Sequence, residues 1–249
     1  MQTTTKIRSS FEDTIARFHA SPALEALTGG RVTLAHYKAI LREIYHYSKE
    51  DPQIQALAAV YFRGDDRASV KMFLKHAISE IGHDRMALAD LEALGEDVSL
   101  VALSNPLPAT IALTAFPFYQ IQYANPVGYL GYLYFLEHMP TAAGKGYAAA
   151  LAAAGVPEAA MSFLHEHTTV DVAHNKLMEE YVSRLVRTEA DLDAVCYAIE
   201  VTGDLYAKML WAAICDAEQP RPRGVRHEEA GRTGPLRPRM LRQGLAVSA

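Results

Sequence analysis

Only two cysteines occur in 249 residues. Cys196 and Cys215 lie too far from any partner motif to suggest a disulfide framework or a sulfur metal clamp, and they read as reduced core residues. Strand signals are missing as well: there is no Asn-Gly hairpin turn and no sustained alternation of apolar and polar residues. No apolar run reaches the ~18 residues a bilayer span requires, because the longest candidates are interrupted by Glu137 and Lys145. The opening MQTTTKIRSSFEDT lacks the apolar core of a secretory signal, so the expected location is the cytoplasm. No long internal repeat is present, which excludes a solenoid.

What is present is apolar bulk and an uneven charge. Half of the residues are hydrophobic and 21% are charged, enough for one substantial core. Residues 219–249 carry seven Arg and two Glu, a net +5, which leaves −10 on residues 1–218. So acidic a body is a poor match for nucleic acid. The terminal stretch also contains Pro220, Pro222, Pro235 and Pro238, four glycines and little apolar content. The expected organisation is therefore a helical domain over 1–218 and a disordered Arg/Pro-rich tail over 219–249.

Long Ala/Leu/Glu/Lys-rich stretches with apolar residues at helical spacing predict an all-α fold, a single compact bundle of about seven helices. The first spans roughly Ser10 to His19. Thr33 caps a second that starts near Leu34 and reaches towards Phe62, with a kink or break at Pro52. Asp65 or Asp66 caps a third that runs through Glu80 and His83 to Gly95. A fourth, bent at Pro117, spans about Pro108 to Tyr123, and a fifth runs from Pro126 to His138 and stops at Pro140. A short Gly/Ala-rich helix follows. The last two are placed at Pro157 to Arg187 and Asp191 to Asp216.

Three sets of residues carry chemistry. His167, Asp171 and His174 are spaced by four and three residues, so one helix turns all three side chains to nearly the same face. Imidazole nitrogen with carboxylate oxygen is a ligand set for non-haem iron, with zinc or manganese as competitors. Glu80 and His83 form an (i, i+3) carboxylate–imidazole pair flanked by Phe73, Ala77, Ile81 and Met86. Glu137 ends the apolar run that begins at Val127, and a carboxylate buried there needs a cation or hydrogen bonds to offset its lost hydration. Together these offer three imidazoles and three carboxylates, a donor set sufficient for two metals. His138, His165 and Glu166 are neighbours in sequence but lie about 100° or 200° around their helices, outside the set.

This arrangement resembles the haem-oxygenase-like di-iron oxidase family over roughly Phe11 to Ala217. The likeness rests on Glu80 and His83, then Glu137, then His167-x-x-x-Asp171-x-x-His174. The separations of 54 residues from His83 to Glu137 and 30 from Glu137 to His167 also fit. The resemblance implies a haem-oxygenase-like fold and a metal set of Glu80, His83, Glu137, His167, Asp171 and His174. It implies two irons cycling between Fe2+ and Fe3+, and O2 as co-substrate in the oxidation of a small molecule. N-hydroxylation, desaturation and C–C cleavage of an amino acid or fatty acid are the reaction types it brings with it. Some members add a carboxylate from the preceding long helix, where Glu43, His46 and Glu50 share a face and no choice among them follows.

The rival readings are a true haem oxygenase, with His19 as proximal ligand and Gly144-x-Gly146 in a distal helix, and a non-catalytic metal-binding protein. A thiaminase-like hydrolase on the same fold would require a placed nucleophilic cysteine. The expected partner is a small-molecule substrate, with no nucleic acid and no membrane. A homodimer and a reductase or other electron donor remain candidate partners.

Overall fold

A computed structural model describes residues 2–220 and 223–224, with the side chains of residues 143 and 169–173 outside the description. The described residues form eleven α-helices, three short 3-10 turns and no β-strand. The helices are α1 (Gln2–His19), α2 (Pro22–Thr28), α3 (Leu34–Ser48), α4 (Asp51–Ala59), α5 (Arg67–Glu80) and α6 (His83–Ala93). They continue as α7 (Val98–Leu103), α8 (Pro108–Tyr123), α9 (Tyr129–Ala153), α10 (Ser162–Leu185) and α11 (Glu189–Glu218).

The count exceeds seven because several expected helices are divided. The expected second helix splits into α3 and α4 around Lys49 and Glu50, just ahead of Pro52. Thr33 does cap α3, its hydroxyl accepting from the His36 amide while the His36 ring accepts from the Thr33 amide. The expected third helix splits between Glu80 and His83. Gly82 adopts φ +108°, a conformation that L side chains rarely adopt, and so turns the chain between the two helices.

The opposite error occurs at Pro140. Sequence places a helix end there, yet α9 runs through it to Ala153 and absorbs the expected short Gly/Ala-rich helix. Proline removes one intrahelical donor and crowds the preceding turn; here packing against α10 and α11 holds the helix on both sides. Close approach is possible because Gly131 lies where a Cβ would sit 2.2 Å from the Val195 carbonyl oxygen, and Gly144 where one would sit 2.1 Å from Thr168. That contact also explains Gly144 without a haem.

The first half of α9 is the centre of the core: Tyr129, Leu130, Tyr132 and Phe135 are all at most 1% exposed. An apolar helix surrounded on every side is how Glu137 comes to lie inside the bundle. Cys196 is half-buried, but Cys215 is exposed rather than a core residue, because it falls on the outward face of α11.

Beyond α11, most of the expected tail lies outside the described residues. Arg223 belongs to the packed body. Its guanidinium donates to Glu43 at 2.5 Å and to Asp216 at 2.6 Å, and the Gly224 carbonyl accepts from the Asn105 amide.

Candidate metal centre

Four helices bring the chemistry together. α5 supplies His76 and Glu80, one turn apart on one face; α6 supplies His83; α9 supplies Glu137; and α10 supplies His167 and His174. The start of α10 is fixed by Asp90 of α6, whose carboxylate accepts from the Ser162 amide at 2.9 Å, the Ser162 hydroxyl at 2.6 Å and the Phe163 amide at 3.0 Å. A buried N-terminal cap of this kind sets the rotation of α10 and so the direction of His167 and His174.

The side chains form two groups that share Glu80. In the first, donor atoms of His76, Glu80, Glu137 and His174 lie within 4.8 Å of one another, and all four residues are buried. His76 Nε2 is 2.9 Å from Glu137 Oε1 and 3.4 Å from Glu80 Oε1. His174 Nδ1 is 2.9 Å from Glu137 Oε2 and 3.7 Å from Glu80 Oε1. In the second, Glu80, His83 and His167 meet the same distance criterion. His83 Nδ1 is 2.8 Å from Glu80 Oε2, and the His83 and His167 rings meet edge to face at 4.7 Å. Glu80 thus turns one oxygen to each group.

Of the residues expected from sequence, Glu80, His83, Glu137, His167 and His174 are brought to this one place. The sixth, Asp171, has its side chain outside the described residues. The expectation that Glu80 and His83 share one continuous helix is corrected: the turn at Gly82 aims both inward from separate helices. His76 was missed, although His76-x-x-x-Glu80 is itself a same-face spacing visible in the sequence.

None of Glu43, His46 and Glu50 joins either group. Glu43 accepts from the Leu107 amide and the Thr110 hydroxyl and pairs with Arg223. His46 lies 3.1 Å from the Ser104 hydroxyl, and Glu50 sits at the start of α4. His138 stacks on Tyr134, and half-buried His165 pairs with Glu158 at 3.0 Å, so both stay outside the centre.

The protonation pattern is that of carboxylates held by imidazolium. Burial disfavours the charge on Glu80 and Glu137, but contacts with His76, with His83 for Glu80 and with His174 for Glu137, outweigh it and hold both below the usual carboxylate range. Burial pulls His76 down, and Glu137 and Glu80 more than reverse this, raising it to about 9. His83 is raised for the same reason, by Glu80. His167 goes the other way: burial and then the neighbouring His83 lower it. Its Nδ1 lies 2.7 Å from the Phe163 carbonyl oxygen, an acceptor that keeps the proton on Nδ1 and frees Nε2 for a metal.

These donors fit iron in kind and number. Buried carboxylates with imidazole nitrogens suit Fe2+, and each group leaves room for further ligands. An apolar cavity reaches the same place, its wall including Glu80, His83, Glu137 and His167 together with Leu133 and Leu136. Neither cysteine lines it, and His19 is exposed at the end of α1 while Phe18 faces the cavity. Neither a nucleophilic thiol nor the expected proximal haem ligand therefore reaches this site.

An all-α fold with buried carboxylates and imidazoles beside a cavity defines a class of protein able to hold a metal next to a small-molecule pocket. The chain belongs to the iron-containing redox enzyme family, whose sequence profile matches residues 38–207. Among solved structures it is similar to a domain of unknown function with a haem-oxygenase-like fold from Shewanella denitrificans. The two are 27% identical with a TM-score of 0.74, over 87% of this chain and 92% of that one. It also shares its fold with a TenA homologue from Pseudomonas syringae pv. tomato, at 13% identity and TM-score 0.69, over 86% and 93% of the two chains. A TenA homologue from Pyrococcus furiosus matches at 11% identity and TM-score 0.62, over 85% and 99%. None of the curated proteins matches the chain. No helix among the described residues is long and apolar enough to cross a membrane.

Proposed function

We propose that the chain is a non-haem di-iron oxidase that uses O2 to oxidise a small molecule bound in the cavity. The observation that carries this reading is the division of Glu80 between two donor groups, Oε1 towards His76 and His174 and Oε2 towards His83. A carboxylate so placed is suited to hold two metals side by side. His76, Glu80, Glu137 and His174 would hold one iron and Glu80, His83 and His167 the other; the family resemblance adds Asp171 to the set as a whole. When bound, the irons supply the electrons and the Lewis acidity for reaction with O2.

The chain's own contribution is placement and exclusion of water. Asp90 fixes the α10 end of the centre, the Phe163 carbonyl fixes the His167 tautomer, and the apolar wall keeps bulk water from the reacting atoms. The reaction types that the resemblance implies, N-hydroxylation, desaturation and C–C cleavage, bound the chemistry without fixing the substrate.

Anaerobic titration with Fe2+ followed by metal analysis should reach two irons per chain, and the loaded protein should consume O2. Saturation at one iron, or a stoichiometric haem complex as the only O2-consuming form, would overturn the proposal.

A further inference from the structure

The junction of α3 and α4 leaves polar groups without partners at the cavity wall. Gln55 is 0% exposed, and neither its amide nitrogen nor its amide oxygen has a hydrogen-bond partner. The Ser48 hydroxyl, in a residue only 4% exposed, has none either. Both residues line the cavity, and between them lies Asp51, one turn before Gln55 on the same face of α4. Asp51 Oδ1 accepts from the Tyr132 hydroxyl at 3.0 Å.

Buried amides and hydroxyls are almost always satisfied, so a buried amide with both ends unused beside a cavity marks a place where something else completes it. We propose that Ser48, Asp51 and Gln55 form the specificity end of the cavity and take an uncharged group that both donates and accepts hydrogen bonds, a primary amide or a hydroxyl, on an otherwise apolar substrate. This rests on reading the cavity as the substrate site.

Three features favour an uncharged group. No Lys or Arg occurs among the described residues lining the cavity, so a carboxylate would lie beside Glu80 and Glu137 with only His83, already paired with Glu80, to offset it. An ammonium group offers donors only and would leave the Gln55 nitrogen unsatisfied. The Asp51 carboxyl is held well above the carboxylate range, first by its burial and then by the charge of Glu80, so a second negative charge at this corner is disfavoured. The remaining wall, with Leu24, Ile40, Leu41, Leu151 and Leu210, suits an alkyl body. A site built around unpaired polar groups rejects ligands that cannot complete them.

The test uses four ligands with one chain length: octanamide, 1-octanol, octylamine and octanoate. Binding is measured by calorimetry on the iron-loaded protein under anaerobic conditions, and again on metal-free protein. Gln55→Leu should weaken octanamide and octanol at least tenfold while leaving octylamine and octanoate within threefold. Ser48→Ala should give the same pattern with a smaller effect. Gln55→Leu should not lower the melting temperature, because it removes an unpaired buried amide.

The proposal fails if Gln55→Leu leaves octanamide unchanged, or weakens a charged ligand as much. A substantially lowered melting temperature would likewise overturn it, by making Gln55 a structural residue. The metal-free series separates this from the iron reading: a Gln55-dependent amide preference there leaves the specificity end standing even where the Fe2+ titration overturns the oxidase.

Discussion

Two of the buried carboxylate clusters among the described residues face side chains of different basicity. At the metal centre, Glu80 and Glu137 face His76, His83 and His174. At the other place Glu43, 0% exposed, faces Arg223, which also pairs with Asp216. An imidazolium can lose its proton and present a lone pair; a guanidinium cannot do so in the range where proteins function. The first cluster can therefore exchange protons for metal, whereas the second is fixed. Burial of a carboxylate alone does not distinguish a ligand from a structural anion; its partner does.

The comparison breaks most sharply at Glu80, the residue common to both donor groups. Glu80→Ala should abolish binding of both irons and reduce O2 consumption by more than about 100-fold, a loss comparable to the upper range for outer-sphere metal-site lesions. His76→Ala and His167→Ala, each confined to one group, should each retain one iron on metal analysis. Full two-iron loading of Glu80→Ala would show that the groups do not share it.

At the second cluster, Arg223→Ala should leave iron stoichiometry unchanged and destabilise the fold by about 2–4 kcal/mol. The value is discounted from a fully buried pair because Arg223 is partly exposed. That corresponds to a fall in melting temperature of roughly 5–12 °C. Truncation after Glu218 removes the same guanidinium and should cost as much, while truncation after Gly224 should not. Equal melting temperatures for the two truncations would show that Glu43 draws little from Arg223.

What sequence could and could not foresee follows from how local each feature is. α8 was legible from Pro108 to Tyr123, and Thr33 from its capping role, because both depend on neighbouring residues. The passage of α9 through Pro140 depends on α10 and α11 packing beside it, and periodicity carries no trace of that. Glu137 was singled out because an apolar run announces burial. His76-x-x-x-Glu80 is a same-face spacing within α5, but sequence spacing carries no trace of the positive φ at Gly82 that separates Glu80 from His83 and leaves His76 as Glu80's partner on its own helix. Arg223 sits in a segment whose composition reads as solvated, and only the tertiary fold sets it against Glu43. The Gln55 corner required knowing which groups lack partners.

The smallest expected effect is a pH dependence that separates the two clusters. In metal-free protein the folded-state pKa of His76 is raised from 6.5 to about 9, chiefly because Glu137 and Glu80 outweigh its burial. A raised pKa stabilises the fold fully below about pH 6.5, and that contribution disappears as pH rises through about 9. Glu80 and Glu137 are depressed, so their contribution is present above about pH 4.5 and is lost on acidification through their lower folded values. Metal-free protein should therefore lose roughly 2–4 °C of melting temperature between pH 7 and pH 9.5, a modest share of the coupled cluster. On the proposed di-iron reading iron would take the place of the His76 proton, so the gap between iron-loaded and metal-free melting temperatures should widen over the same interval. The Arg223→Ala penalty has no such source, since the guanidinium keeps its charge, and it should be equal at pH 7 and pH 9.5. A constant iron-dependent gap would mean that His76 gives up no proton when metal binds, and would remove it from the ligand set.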